Sequence, residues 1–305
     1  MSSDASQGVY SRLYVREGSG QQLYNAASSE TYEFLSEDLG MTRQVLDTGG
    51  IRGTRSMPKE RTRLGVRAVQ GTIVMHPSPA DLDAWLPRIL GSTEVADTFN
   101  LGDTFNEFSV LVTRDQENFE YTHCKVSRAE FRSQPNGFLE MTLTLLGGEE
   151  YQAVATPTNG PSLSTAANAY PYVFHDSCGN VQLPSGTARE IFDLAISIDN
   201  VMDARFVNCP TVTSITPQDR IVAVSCTTPF DASNEALHLQ TDDKGPAFVK
   251  FTNGNMSLRF DFASLKGPDQ SPVVGGKSEI VLRNDYMARS SGATLELVVT
   301  NDSTA

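Results

Sequence analysis

A chain of 305 residues with 39% hydrophobic and 20% charged residues has an ordinary globular composition, and either half is long enough to bury a core without staples. The net charge is −13, and the acid is spread evenly: residues 1–150 carry 14 basic and 21 acidic side chains, residues 151–305 carry 10 and 16. That balance argues against a protein that grips nucleic-acid phosphate with a basic face. No apolar run approaches the ~20 residues of a membrane helix, and the start, MSSDASQGVY, lacks the basic and apolar segments of an export signal.

Residues 1–30 are rich in Ser, Gln and Gly and read as an arm that orders on contact, with strand candidates at Ser11–Arg16 and, beyond it, Tyr32–Leu35. The stretch GGIRGTRSMPKERTRLG, residues 49–65, follows. It holds Arg52, Arg55, Lys59, Arg61 and Arg63 against one acid, Glu60. Glycines bracket it and Pro58 interrupts it, so it reads as a long exposed loop or hairpin tip. In so acidic a chain, such a loop suits an acidic surface, its own or a copy's.

Val69, Gly71, Ile73 and Met75 alternate with Ala68, Gln70, Thr72 and Val74, the period of a half-buried strand. Ser78 is a good N-cap, Pro79 suits the first helical position, and Asp81 sits at the positive end of the helix dipole. Leu82, Trp85, Leu86, Ile89 and Leu90 then form one apolar stripe, which Gly91 stops. Pro87 should kink or shorten this helix. Strands are expected around Phe108–Val112, less regularly over Phe119–Phe131, and at Leu139–Leu145.

Residues 153–168, AVATPTNGPSLSTAAN, have no period and read as a linker between residues 1–152 and 169–305. The second half opens at Tyr172–Phe174 and continues with strands at Phe192–Ile198, Met256–Phe262, Glu279–Asn284 and Leu295–Val299. Between them, residues 220–239 repeat the plan of residues 67–86 without a gap: Arg67, Val69 and Leu86 fall on Arg220, Val222 and Leu239. The second helix, diluted by Glu235 and His238, is the weaker one. Pro58 lies nine residues before Arg67 and Pro217 three before Arg220, so the basic loop reads as an insertion of the first half. The fold class is mainly β: two tandem β-sandwich or open-barrel domains, each with about one flanking α-helix.

The chemistry expected of an enzyme is missing. His123 and Cys124 are neighbours on a strand and point to opposite faces, and His175 with Cys178 lacks a second ligand pair. Gly276-Lys277-Ser278 resembles the end of a phosphate loop, but Ser271 stands where the first glycine belongs and a strand follows instead of a helix. Cys124, Cys178, Cys209 and Cys226 show no CxxC pair and read as reduced and mostly buried. No catalytic residue, metal or cofactor is expected.

The order of a Gly/Arg-rich loop, a strand ending in proline, a Leu-rich helix stopping at Leu90-Gly91 and strands closing on Leu145–Gly147 resembles the tail tube proteins of long-tailed, siphovirus-like bacteriophages. The opening Tyr172-Val173-Phe174 and the strand ending Ile198-Asp199-Asn200 look like a second copy of the same domain. The resemblance implies a structural virion protein, assembled in the host cytoplasm, whose sheets join edge to edge into rings. Two domains per chain imply a trimeric ring with six quasi-equivalent positions. Stacked rings form a tube for DNA, and its partners would be its own copies, the tape measure, terminator and distal tail proteins, with no membrane. An acidic wall would repel a duplex carrying one negative charge per about 1.7 Å. Glu140, Asp193, Asp199, Asp261 and Glu296 are the candidate lumen acids, and the basic residues from Arg52 to Arg63 the candidate ring-stacking loop. The competing readings are a β-sandwich module that binds carbohydrate or protein, an enzyme with an unrecognised site, and the secreted ring protein of contractile injection systems. The last usually has one domain per chain.

Overall fold

The computed structural model describes residues 8–21, 29–152, 157, 170–183, 188–230, 246–267, 272–277 and 279–303. Among them the first half forms β1 (Arg12–Glu17), β2 (Glu30–Tyr32), β3 (Ser36–Glu37), β4 (Gly40–Asp47), β5 (Thr62–Met75), α1 (Pro79–Leu90), β6 (Thr98–Asn100), β7 (Phe108–Arg114), β8 (Glu117–Ser133), β9 (Glu140–Gly147) and β10 (Glu149–Gln152). The second forms β11 (Val181–Gln182), β12 (Asp193–Asp199), β13 (Met202–Arg205), β14 (Ser214–Pro217), β15 (Ile221–Pro229), β16 (Ala247–Asn253), β17 (Met256–Phe262), β18 (Ser264–Lys266), β19 (Val281–Arg289) and β20 (Leu297–Asp302). The chain is mainly β, as its alternating apolar positions require.

One antiparallel run crosses the whole molecule: β4, β5, β9, β8, β12, β15, β19, β18. The β8–β12 pair joins the halves within a single sheet. β3 continues the line of β4 along β5. The first part of β8 leaves this run and sits between β10 and β7, with β1 and β2 beyond. The bend falls at His123, held in the left-handed region with φ 54°, and the pairings slip by a residue on either side. This bend is the physical reason that Phe119–Phe131 lacks a regular period. A second sheet runs β11, β16, β17, β20, β6, so its last strand comes from the first half.

The buried faces meet in one continuous core fed by both halves, including Ile73, Phe131, Ile196, Phe260 and Val299. The rings of Phe131 and Phe260 lie 5.2 Å apart across it. α1 adds Leu82, Trp85, Leu86, Ile89 and Leu90, all fully buried, each contributing about 1.5–3 kcal/mol by the area it removes from water. Its start is the anticipated capping box: Ser78 accepts from the Asp81 N–H, and Asp81 accepts from the Ser78 N–H at 2.9 Å. Gly91 ends it in the left-handed conformation.

Several expectations are corrected. α1 runs through Pro87 to Leu90, because proline removes one N–H while the buried stripe on both sides of it persists. Ser11–Arg16 is no dangling arm: Leu13, Tyr14 and Val15 are buried and β1 pairs with β7 along six residues. The strand expected at Tyr32–Leu35 lies at Glu30–Tyr32. Tyr172–Phe174 gives one bridge, Val173 to Phe138, and then a short 3-10 helix. Two of the four cysteines are buried and two exposed. The linker of residues 153–168, apart from Pro157, and the second helix, within residues 231–245, lie outside the described residues.

Candidate functional site: an open sheet face and two hairpins

The basic stretch is the tip of a projecting hairpin. β4 is exposed along almost its whole length and β5 is exposed over its outer half. Val45, Leu46, Leu64 and Val66 are 45–59% exposed, and the successive Val45 and Leu46 point to opposite faces of the ribbon. A two-stranded ribbon with apolar side chains on both faces is marginal alone and marks a docking surface. Arg52 folds back on the loop, donating to the Thr48 carbonyl at 2.5 Å and to the Met57 sulfur. Arg55, Lys59, Arg61 and Arg63 have no acidic partner among the described residues. The structure brings four of the five into one loop, residues 48–61, while Arg63 lies at the start of β5.

A second hairpin, β13–β14, was not foreseen. Its strands are short and carry little apolar alternation, and the turn signals around Asn208-Cys209-Pro210 were its only trace in the sequence. It corrects the account of the basic loop as an insertion just before Arg67. Met202, Asp203 and Ala204 face Pro217, Thr216 and Ile215 just as Val45, Leu46 and Asp47 face Leu64, Arg63 and Thr62. Both halves therefore carry a hairpin here, and the first has the longer, basic tip. The second tip is uncharged from Phe206 to Thr213 and leans onto the first half. The Arg67 N–H donates to the Pro210 carbonyl at 2.8 Å, and Phe206 faces a shallow hollow of Thr42, Arg43, Gln44, Val66 and Ala68. Lys125, at the β8 bend, reaches the Ile215 carbonyl at 2.8 Å.

The five acids do not share a surface. Glu140, Asp193 and Asp199 stand on the outward face of the long sheet run, on β9 and β12. Asp261 lies on β17 in the other sheet, clamped by Arg259 at 2.6 Å, and Glu296 precedes β20 in that same sheet. The five candidate lumen acids are thus divided between the two sheets. Nor is the long face purely acidic. Arg128 lies directly across from Asp199, and Arg132 directly across from Glu140. Arg132 pairs with Glu130 at 2.9 Å, Arg128 approaches the same carboxylate at 3.7 Å, and Arg283 approaches Asp285 at 3.4 Å. Asp193 is occupied by Thr227, through its N–H at 2.7 Å and its hydroxyl at 3.0 Å. The face is a mosaic of both signs, in which Arg128, Arg132 and Arg283 lie beside acids. Residues 127–133, SRAEFRS, carried that alternation in the sequence.

Among the described residues, no group of three His, Cys, Asp or Glu side chains lies close enough to hold a metal ion. The two buried thiols are poor nucleophiles: burial pushes Cys124 up, and burial with the charges of Asp193 and Asp285 pushes Cys226 up to about 12.

A model of the phage tail tube protein family matches residues 11–290. The chain belongs to that family. No curated protein matches the sequence. Membership makes it a structural component of a virion.

Proposed function

We propose that three copies of this chain close into a ring, that rings stack into the tube of a long phage tail, and that DNA passes through the bore without being held. The observation that carries the reading is the sheet run from β4 to β18, which spans both halves and ends on two strands unpaired on their outer side among the described residues. An open sheet edge invites another strand, and a run open at both ends can close on itself through further copies.

A duplicated domain supports the count of six positions. The first half reads β4, β5, β9, β8 in the order in which the second reads β12, β15, β19, β18. The hairpin registers match residue for residue, continuing the sequence correspondence of Arg67 with Arg220. In this reading the outward face of the run lines the bore, with Glu140, Asp193 and Asp199 among its acids. The paired arginines on that face keep it from gripping phosphate: a guanidinium held by a carboxylate has less to offer a passing duplex. The basic hairpin joins copies to one another and reaches the next ring, while the tape measure, terminator and distal tail proteins meet the finished tube.

Negative-stain microscopy of the purified protein at rising concentration is the test. Three-fold rings or hollow tubes are expected. A monomer at every concentration would overturn the reading.

A further inference from the structure

The join between the halves is a template for the join between copies. We propose that the β18 end of the run of one copy docks against the first hairpin of a second copy, with the Lys266 ammonium donating to the Thr62 carbonyl of that second copy. The inference rests on the ring reading above and specifies the surface that closes the ring.

Within one chain, the join has three parts. β8 pairs edge to edge with β12, from Arg128 opposite Asp199 to Ser133 opposite Leu194. Lys125, only 12% exposed along its side chain, donates to the Ile215 carbonyl of the second hairpin. The tip of that hairpin rests on the root of the first, through Pro210 and Phe206.

Strand register gives each of these groups a counterpart at the far ends of the run. Leu145 faces Gly71 on β5, and Tyr286 faces Val224 on β15, positions that correspond by the same step as Arg67 and Arg220. One residue further on, Leu146 faces Lys125 and Met287 faces Lys266. Lys266 is therefore the second-half equivalent of Lys125. Thr62 faces Asp47 as Ile215 faces Ala204, so Thr62 is the first-half equivalent of Ile215. Lys125 also lies 3.8 Å from the Glu107 carboxylate. Lys125 is occupied, whereas Lys266 is exposed and makes no hydrogen bond or ion pair among the described residues.

The surroundings fit a second copy. Among the described residues, β18 pairs only with β19, and β3 and β4 only with β5. Val273 and Val274, beyond β18, are 78% and 70% exposed. The root of the second hairpin, where the neighbour's first tip would rest by the same template, presents Asp199 and the exposed Asp203 and Asp219 beside Arg205 and Arg220, the latter 3.5 Å from Asp103. That is the acidic seat a tip bearing Arg52, Arg55, Lys59 and Arg61 would complement. The uncharged second tip, by contrast, rests within the chain on a root that bears Arg43 and Arg67.

The test combines Lys266→Cys with Thr62→Cys in a Cys178→Ser, Cys209→Ser background and treats the assembled protein with a short bismaleimide. Covalent dimers and trimers are expected on a denaturing gel from the double variant and from neither single one. In parallel, Lys266→Glu is expected to raise the concentration needed for assembly by about tenfold or more while leaving the melting curve of the monomer unchanged, and Lys266→Arg to restore it. Rings that form in the wild type, with no crosslink in the assembled double variant and normal assembly of Lys266→Glu, would overturn this interface and leave the ring reading standing. A wild-type protein that never assembles would overturn the ring reading itself.

Discussion

Arg88 shows how a single charged residue can serve a core. Its guanidinium is 4% exposed, paired with Glu17 at 2.6 Å and Glu30 at 2.8 Å, bonded to the Tyr32 hydroxyl at 3.2 Å, and stacked near Trp85 and Phe108. It ties β1 and β2 to the last turn of α1. The two acids are about half exposed, so removing the arginine leaves them able to reach water. Arg88→Ala is therefore expected to cost about 3 kcal/mol, the lower end for breaking a buried pair, and amide exchange should rise in β1 and β2 more than elsewhere. Uniform exchange across the protein would contradict this. Burial also separates the thiols. Cys178 and Cys209 are exposed, whereas Cys124 and Cys226 are buried with raised pKa. A thiol reagent at pH 8 should label the first two in the native protein and the other two only after denaturant is added, as mass spectrometry can count. Gly71 explains another local feature. A Cβ there would meet the Leu39 Cα at 2.6 Å, so the break between β3 and β4 can cross β5 only over a glycine.

At the level of elements, the legible parts were those with one buried face. α1, β5, β9, β12 and β17 follow from period and capping because burial imposes the pattern on the sequence. β4 was not legible, because a hairpin that projects from the body has no inside face to encode, and β13 and β14 were not because each has four residues and Ile215 alone among them is buried. The basic tip is legible by its charge instead, whereas the mosaic of the sheet face emerges only once strand register sets Arg128 opposite Asp199 and Arg132 opposite Glu140. The projecting hairpin carries its own test. Arg61→Glu with Arg63→Glu should leave thermal stability within about 0.5 kcal/mol, as for exposed sites, and should block tube growth in electron micrographs. Tubes of normal length would remove the hairpin from the assembly scheme.

For the whole molecule, the duplication suggested by the sequence and the single core found in the structure have opposite consequences for folding. Repeats suggest separable units. Yet the β8 edge, the β6 edge of the second sheet and the helix carbonyl of Ile89 are all served by the other half, the last through Asn200 at 2.9 Å. A fragment of residues 1–152 is thus expected to melt without a cooperative transition and to bind a hydrophobic dye. A sharp calorimetric transition for that fragment would show that the halves are independent. The two-sheet strand β8 matters before any assembly begins. During synthesis its outer edge stays bare until residues 193–199 have left the ribosome, some sixty residues later than its own last residue, Ser133. A bare edge of that length is an aggregation hazard on the nascent chain. Lys125, Arg128, Glu130 and Arg132, spaced along it, are then gatekeepers first and partners second, protecting a half-made chain from its neighbours on the same message.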